Sequence, residues 1–126
     1  MTKDSIQTPP SPTDFSFSVE QQLASGTVSS ADGRPLGRAG VIRTPHGEIQ
    51  TPAFIPVGTK ATVKALLPET VANLGGQAVL ANAYHLFLQP GSDIVDEAGG
   101  LGAFMNWPGP TFTDSGGFQV MSLGVW

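Results

Sequence analysis

The sequence predicts an α/β fold built on a parallel sheet, and three observations carry that expectation. Pro52–Val57 and the stretch from Gln77 to Asn82 are dominated by apolar residues, as strands buried on both faces must be. A helical stretch, Pro68 to Leu74, lies between them and completes a βαβ unit, whose crossover requires parallel strands. A third β-prone segment, Thr111-Phe112-Thr113, ends in Asp114 as the second ends in Asn82, so parallel pairing brings these polar groups to one rim. A repeat of this kind opens a (β/α) barrel or a doubly wound sheet. The pattern stops at three strands, whereas a (β/α)8 barrel takes about 250 residues. The 126-residue chain therefore reads as an N-terminal portion of a larger domain.

Residues 1–35 carry four prolines and many Ser and Thr, which predicts a disordered tail. Within it Phe15-Ser16-Phe17-Ser18-Val19 alternates, the period of a short strand. Ordered pattern begins near Leu36, so residues 36–126 form the incomplete barrel portion. Val41-Ile42-Arg43 and Glu48 to Thr51 flank Thr44-Pro45-His46-Gly47, a β-hairpin with Pro and Gly at type I turn positions. His46 belongs to the exposed turn. Pro56 has no ladder donor and should end the first parallel strand. Ala61 to Leu67 suggests a helical turn. The next helix opens with Pro68 and closes at Gly75, both favoured positions, although Leu67 is a poor N-cap. After the break Gln89-Pro90-Gly91, Ser92 caps a helix running to about Ala98, ended by Gly99 and Gly100. A short helix from Leu101 to Asn106 leads through Trp107-Pro108-Gly109-Pro110 into the Thr111 strand.

Composition excludes several classes. Charged residues are 13% of the chain and the net charge is −4, with no basic cluster, so no nucleic-acid footprint is visible in this stretch. There is no cysteine, and His46 and His85 lie far apart, so neither a disulfide nor a zinc site is supported within these residues. No apolar run is long enough to span a membrane. The N-terminus lacks the basic and apolar regions of a secretory signal, which makes a cytoplasmic location the default expectation. No phosphate loop, dinucleotide fingerprint or nucleophile elbow is present.

The chemistry concentrates in Thr111 to Leu123. A strand delivers the Asp114 carboxylate, Ser115-Gly116-Gly117 bends the chain, and Phe118 and Gln119 follow. The glycines let another molecule approach the backbone, and Phe118 offers a ring beside the carboxylate on which a flat ligand can stack. Strand-terminal Asp-Ser-Gly is also ordinary turn chemistry. Asn82 reaches the same rim, where it either orients Asp114 or satisfies loop backbone. Tyr84 and His85 read as core residues with satisfied polar ends, and Lys60 and Lys64 as solvated lysines.

Thr113 to Leu123 resembles the signature of bacterial-type tRNA-guanine transglycosylases. So do Thr44 to Ile49 continuing through Thr51 to Thr59, Ala61 to Leu66, and Asn82 to Leu86 with Gln89-Pro90-Gly91, in the same order and spacing. Together these blocks cover about residues 36–124. Ala83 and Gln89 depart from the Thr and Arg more usual at those positions. The resemblance implies a (β/α)8 TIM-type barrel with a zinc-bearing insertion near its C-terminus. It implies exchange of guanine at the tRNA wobble position for a 7-deazaguanine, preQ1 in bacteria, on the route to queuosine, by double displacement.

By the same resemblance Asp114 is the acid/base carboxylate, Asp114, Ser115, Gly116, Gly117 and Phe118 bind the base, and Asn82 supports Asp114 while the pocket is empty. The partners implied are tRNA and a guanine or 7-deazaguanine base, with a homodimer expected at full length. The nucleophilic aspartate and the zinc ligands are expected further along the sequence, so this piece is expected to be inactive alone. The alternative is a noncatalytic barrel homologue that acts as a base- or tRNA-binding partner subunit. A sugar- or phosphate-processing barrel requires a phosphate site at the last strands. The acidic charge is in tension with a tRNA partner unless the basic surface lies in the rest of the protein.

Overall fold

The computed structural model describes residues 15–24, 31–32 and 36–123. Its first layer is an antiparallel sheet in the order β1-β2-β3, formed by β1 (Ser16–Gln22), β2 (Arg38–Thr44) and β3 (Gly47–Thr51). The expected hairpin is β2–β3: Ile42 lies opposite Ile49 and Thr44 opposite Gly47, with Pro45 and His46 at the tip. Thr44 Oγ1 locks that tip by donating to the Gly47 carbonyl at 2.9 Å and accepting the His46 N–H at 3.1 Å.

Within the segment read as a tail, Ser16–Gln22 forms a strand where the Phe-Ser-Phe-Ser-Val alternation allowed a short one. This segment pairs with the outer edge of β2, Phe17 opposite Ile42, with an irregularity between Val19 and Gln21. An edge strand offers unpaired ladder groups, and the Phe-Ser-Phe-Ser-Val alternation has the period to meet them. The Arg38 guanidinium sits 5.5 Å from the Phe17 ring centroid and helps hold the strand. The remainder of the tail expectation, at residues 1–14, 25–30 and 33–35, lies outside the described residues.

The second layer is parallel. β4 (Val79–Ala81) pairs with β5 (Thr111–Thr113) in the register Val79–Thr111, Leu80–Phe112 and Ala81–Thr113. On the other side of β4, Val57 makes a single parallel bridge to Leu80. Leu80 donates to the Pro56 carbonyl at 2.9 Å, and Gly58 donates to the Leu80 carbonyl at 2.7 Å. The three parallel segments are thus in place with β4 central, but the first is a bridge where a full strand was expected. Pro52 and Pro56 supply no N–H, which limits its ladder. It is also not buried on both faces: Phe54 is 84% exposed and Val57 53%. Ala61 to Leu67 forms turns rather than the expected helical turn. Ala61 (φ 59°) and Ala65 (φ 64°) are left-handed, a conformation that does not propagate a right-handed helix.

Around this sheet run α1 (Pro68–Asn73), α2 (Ala83–Leu88), α3 (Ser92–Glu97), α4 (Leu101–Met105) and α5 (Gly117–Leu123). The glycine stops act as anticipated. Gly75 N–H bonds the Ala72 carbonyl and Gly76 N–H the Val71 carbonyl, while Gly99 and Gly100 do the same to Asp96 and Val95. These are paired Schellman closures, and they require the left-handed φ of Gly75 (+89°) and Gly99 (+91°). Ser92 is the first residue of α3 rather than its cap; Gly91 holds the N-cap position, with no side-chain cap bond. α2 and α5 had no counterpart in the sequence expectations.

The core beneath the rim joins Ala61, Val71, Val79, Ala81, Leu86, Met105 and Trp107. Trp107 satisfies its buried indole by donating Nε1–H to the Pro110 carbonyl at 3.0 Å. Gln77, just before β4, grips the outer edge of β3: its Oε1 accepts the Gln50 N–H at 2.8 Å and its Nε2 donates to the Gln50 carbonyl at 3.1 Å. One side chain therefore imitates a strand and ties the antiparallel layer to the parallel one.

Candidate active site

The ends of the parallel segments meet as the pattern predicts. Thr59-Lys60 follows the Val57 bridge, Asn82 follows β4, and Asp114 follows β5. The Asn82 N–H donates to the Thr59 carbonyl at 3.2 Å, so the first two loops are bonded to each other. Asn82 Nδ2 donates to Asp114 Oδ2 at 2.5 Å. Of the two roles open to Asn82 in the sequence, the geometry gives it the one of holding the carboxylate.

The other carboxylate oxygen is also engaged. Asp114 Oδ1 accepts the Ala83 N–H at 2.8 Å. Ala83 is the first residue of α2, and Asn82 at the N-cap makes no side-chain cap bond of its own. The orphan N–H of a helix start is thus satisfied by an acid from the neighbouring strand. The bond from Asn82 and then that from Ala83 push the Asp114 pKa below the ordinary carboxylate value; partial burial opposes them, and His85 adds a smaller electrostatic contribution in the lowering direction. The clamped carboxyl is therefore ionised at neutral pH.

Gly116 explains how the bend fits so close to α2. It is buried, its φ is +64°, and a Cβ placed there lies 3.2 Å from Tyr84 Cβ and 3.3 Å from Tyr84 N. Glycine avoids both the cost of the left-handed backbone and an approach tighter than ordinary contact. Ser115 Oγ accepts the Gly117 N–H at 3.4 Å, at the start of α5. Phe118, in the first turn of α5, is 78% exposed, a bare ring four residues after the carboxylate. Tyr84 and His85 are half-buried and stack edge to face, with centroids 5.9 Å apart.

Asn82, Asp114, Ser115 and Gly116 are gathered at one place by these contacts. The Ala83 N–H was missed in the sequence because α2 was not recognised; Asn82, a favoured N-cap residue, was the signal for it. Among the described residues no cluster of three or more His, Cys, Asp or Glu side chains could hold a metal ion. Among the same residues no helix is long and apolar enough to cross a membrane.

Comparison with known proteins agrees with the motifs. Residues 32–125 match the family model described as queuine tRNA-ribosyltransferase. The queuine tRNA-ribosyltransferase of Desulforamulus reducens is 64% identical over 87 residues, covering 69% of this chain and 24% of the relative. That of Gloeobacter violaceus is 61% identical over 97 residues, covering 77% of this chain and 25% of the relative. That of Staphylococcus epidermidis is 60% identical over 86 residues, covering 68% of this chain and 23% of the relative. The chain spans about a quarter of the length of these curated relatives. With a family match over residues 32–125, this chain belongs to the queuine tRNA-ribosyltransferase family.

Proposed function

We propose that the protein of which this chain forms part exchanges guanine at the wobble position of tRNA for a 7-deazaguanine, preQ1 in bacteria, within a (β/α)8 barrel. The observation that carries the proposal is the Asp114 carboxylate, held by Asn82 and Ala83 at the strand-end rim. The relatives that share this stretch are named queuine tRNA-ribosyltransferases.

The roles follow from the chemistry. A base that leaves ribose takes the N9–C1′ bonding pair with it, so a proton delivered to the base helps it depart. The incoming base must lose its N9 proton before it attacks, so the same group then serves as base. Asp114 fills both roles. While clamped it is ionised. A base that displaces Asn82 and Ala83 as its partners and excludes water raises its pKa, which makes a proton available on the carboxyl. That proton goes to guanine and returns from the incoming base, so the cycle closes. Ser115, Gly116 and Gly117 shape the base pocket, and Phe118 stacks on the heterocycle. The nucleophile at C1′ is an aspartate later in the sequence, as the resemblance implies. Zinc, homodimer formation and a cytoplasmic location also follow from the family resemblance and stand as part of this proposal.

Incubation of the intact protein with unmodified tRNA and labelled guanine tests it. Label should enter the tRNA and be chased out by preQ1. Binding of tRNA or base without incorporation would support the noncatalytic partner instead.

A further inference from the structure

Lys60 is set on the rim by contacts that leave its charge free. Its Nζ donates to Gln89 Oε1 at 3.1 Å, beyond the end of α2, and the side chain is exposed. The preceding residue, Thr59, accepts the N–H of Asn82, the residue that clamps Asp114. The loop carrying Lys60 is therefore bonded directly to the loop that positions the candidate catalytic acid. Gln89 is neutral, so it fixes the direction of the ammonium without cancelling its charge, as a carboxylate would.

Nearby charges do not neutralise it either. Among the ion pairs formed by the described residues, none involves Lys60. Arg43 is paired with Glu48 at 2.9 Å, and Arg38 lies over Phe17 in the antiparallel sheet, so neither serves this rim. We infer that Lys60 is a phosphate-binding residue, which touches the nucleic-acid backbone beside the nucleotide whose base is exchanged, with Gln89 as its positioning partner. A lysine acts there as an orientable point charge. It places a cation on the working edge of an otherwise acidic piece of chain. The inference rests on the function proposed above.

The test is tRNA binding by the intact protein across a salt series, for wild type, Lys60→Gln and Lys60→Arg, with free-base binding and thermal unfolding measured alongside. A protein that neutralises one phosphate fewer should have a slope of log K against log salt smaller by roughly 0.7–0.9 in magnitude. Lys60→Gln should show that change and bind tRNA a few-fold more weakly near physiological salt, with free-base affinity and unfolding temperature unchanged. Lys60→Arg should keep the wild-type slope. A Lys60→Gln protein with the wild-type slope overturns this inference while leaving base exchange intact. A wild-type protein that neither binds tRNA nor exchanges guanine overturns the proposed function, and this inference with it.

Discussion

The Asp114 carboxylate caps a helix that is not its own: Oδ1 accepts the backbone N–H of Ala83, at the start of α2, at 2.8 Å. Because Asn82 Nδ2 occupies the other oxygen, the acid at the end of β5 is fixed by two donors from the end of the adjacent strand. A group so held is stored in its ionised form; in the function proposed above, it acts once a ligand takes over its partners.

Asn82→Ala removes the largest cause of the lowered Asp114 pKa, so that pKa should rise toward the ordinary carboxylate value. The sign for stability follows. In wild type the folded pKa lies below the unfolded one, so the clamp stabilises the fold above the unfolded value, and this is lost as pH falls through the lowered folded value. The variant should show a weaker loss of unfolding temperature on acidification. The carboxyl-carbon NMR resonance of Asp114 against pH reads the midpoint directly; an unmoved midpoint would mean that Ala83 alone holds the acid.

Gly116→Ala places a methyl group 3.2 Å from Tyr84 Cβ on a backbone at φ +64°. The left-handed conformation alone costs about 1–2 kcal/mol for a non-glycine residue, and the close approach adds to it. Denaturant unfolding of the intact protein should show a loss of at least that order. A neutral result would mean that the bend relaxes away from α2.

Gln77→Ala breaks both bonds to Gln50. These are exposed, so the total should be near the lower end of the ~0.5–1.5 kcal/mol typical of each hydrogen bond. The distinguishing readout is amide exchange, which should accelerate at Gln50 while Leu80 in the parallel sheet keeps its protection. Equal acceleration at both would show that the two layers open together.

Phe118→Ala removes an exposed ring rather than a core one, so the fold should be unaffected. Base–aromatic stacking is worth roughly 1–3 kcal/mol. Calorimetric titration with the free base should show a loss of that order with tRNA affinity nearly unchanged. Equal losses for both ligands would remove the ring from the base pocket.

The sequence made the hairpin and the βαβ order legible, because each rests on local pattern: turn residues, apolar runs and a glycine stop; the meeting of Asn82 with Asp114 followed from the parallel order, which brings both strand ends to one rim. It misled where pattern and hydrogen bonding diverge. Pro52 to Val57 has the apolarity of a buried strand but two prolines, so only Val57 joins the ladder, and Phe54 stays bare. β1 was legible only as an alternation inside a Pro- and Ser-rich segment, because its pairing depends on the edge that β2 offers, which lies far along the chain. α2 was hidden because Ala83 to Leu88 is apolar without polar alternation, and because the acid that caps its first N–H is 31 residues away. Bonds of this kind, between groups distant in sequence, are what the composition of a segment leaves out.

The most direct measurement is guanine exchange into tRNA by the intact protein carrying Asp114→Asn. Asparagine keeps the shape of Asp114, yet it can accept only one of the two bonds now made to Asn82 and Ala83, and it cannot exchange a proton at neutral pH. General acid–base catalysis contributes typically ~10²–10⁴-fold, so kcat should fall by that factor or more, with free-base binding measurable and the unfolding temperature little changed. Exchange within a few-fold of wild type, by a variant folded as well as wild type, would contradict a proton-transfer role for Asp114.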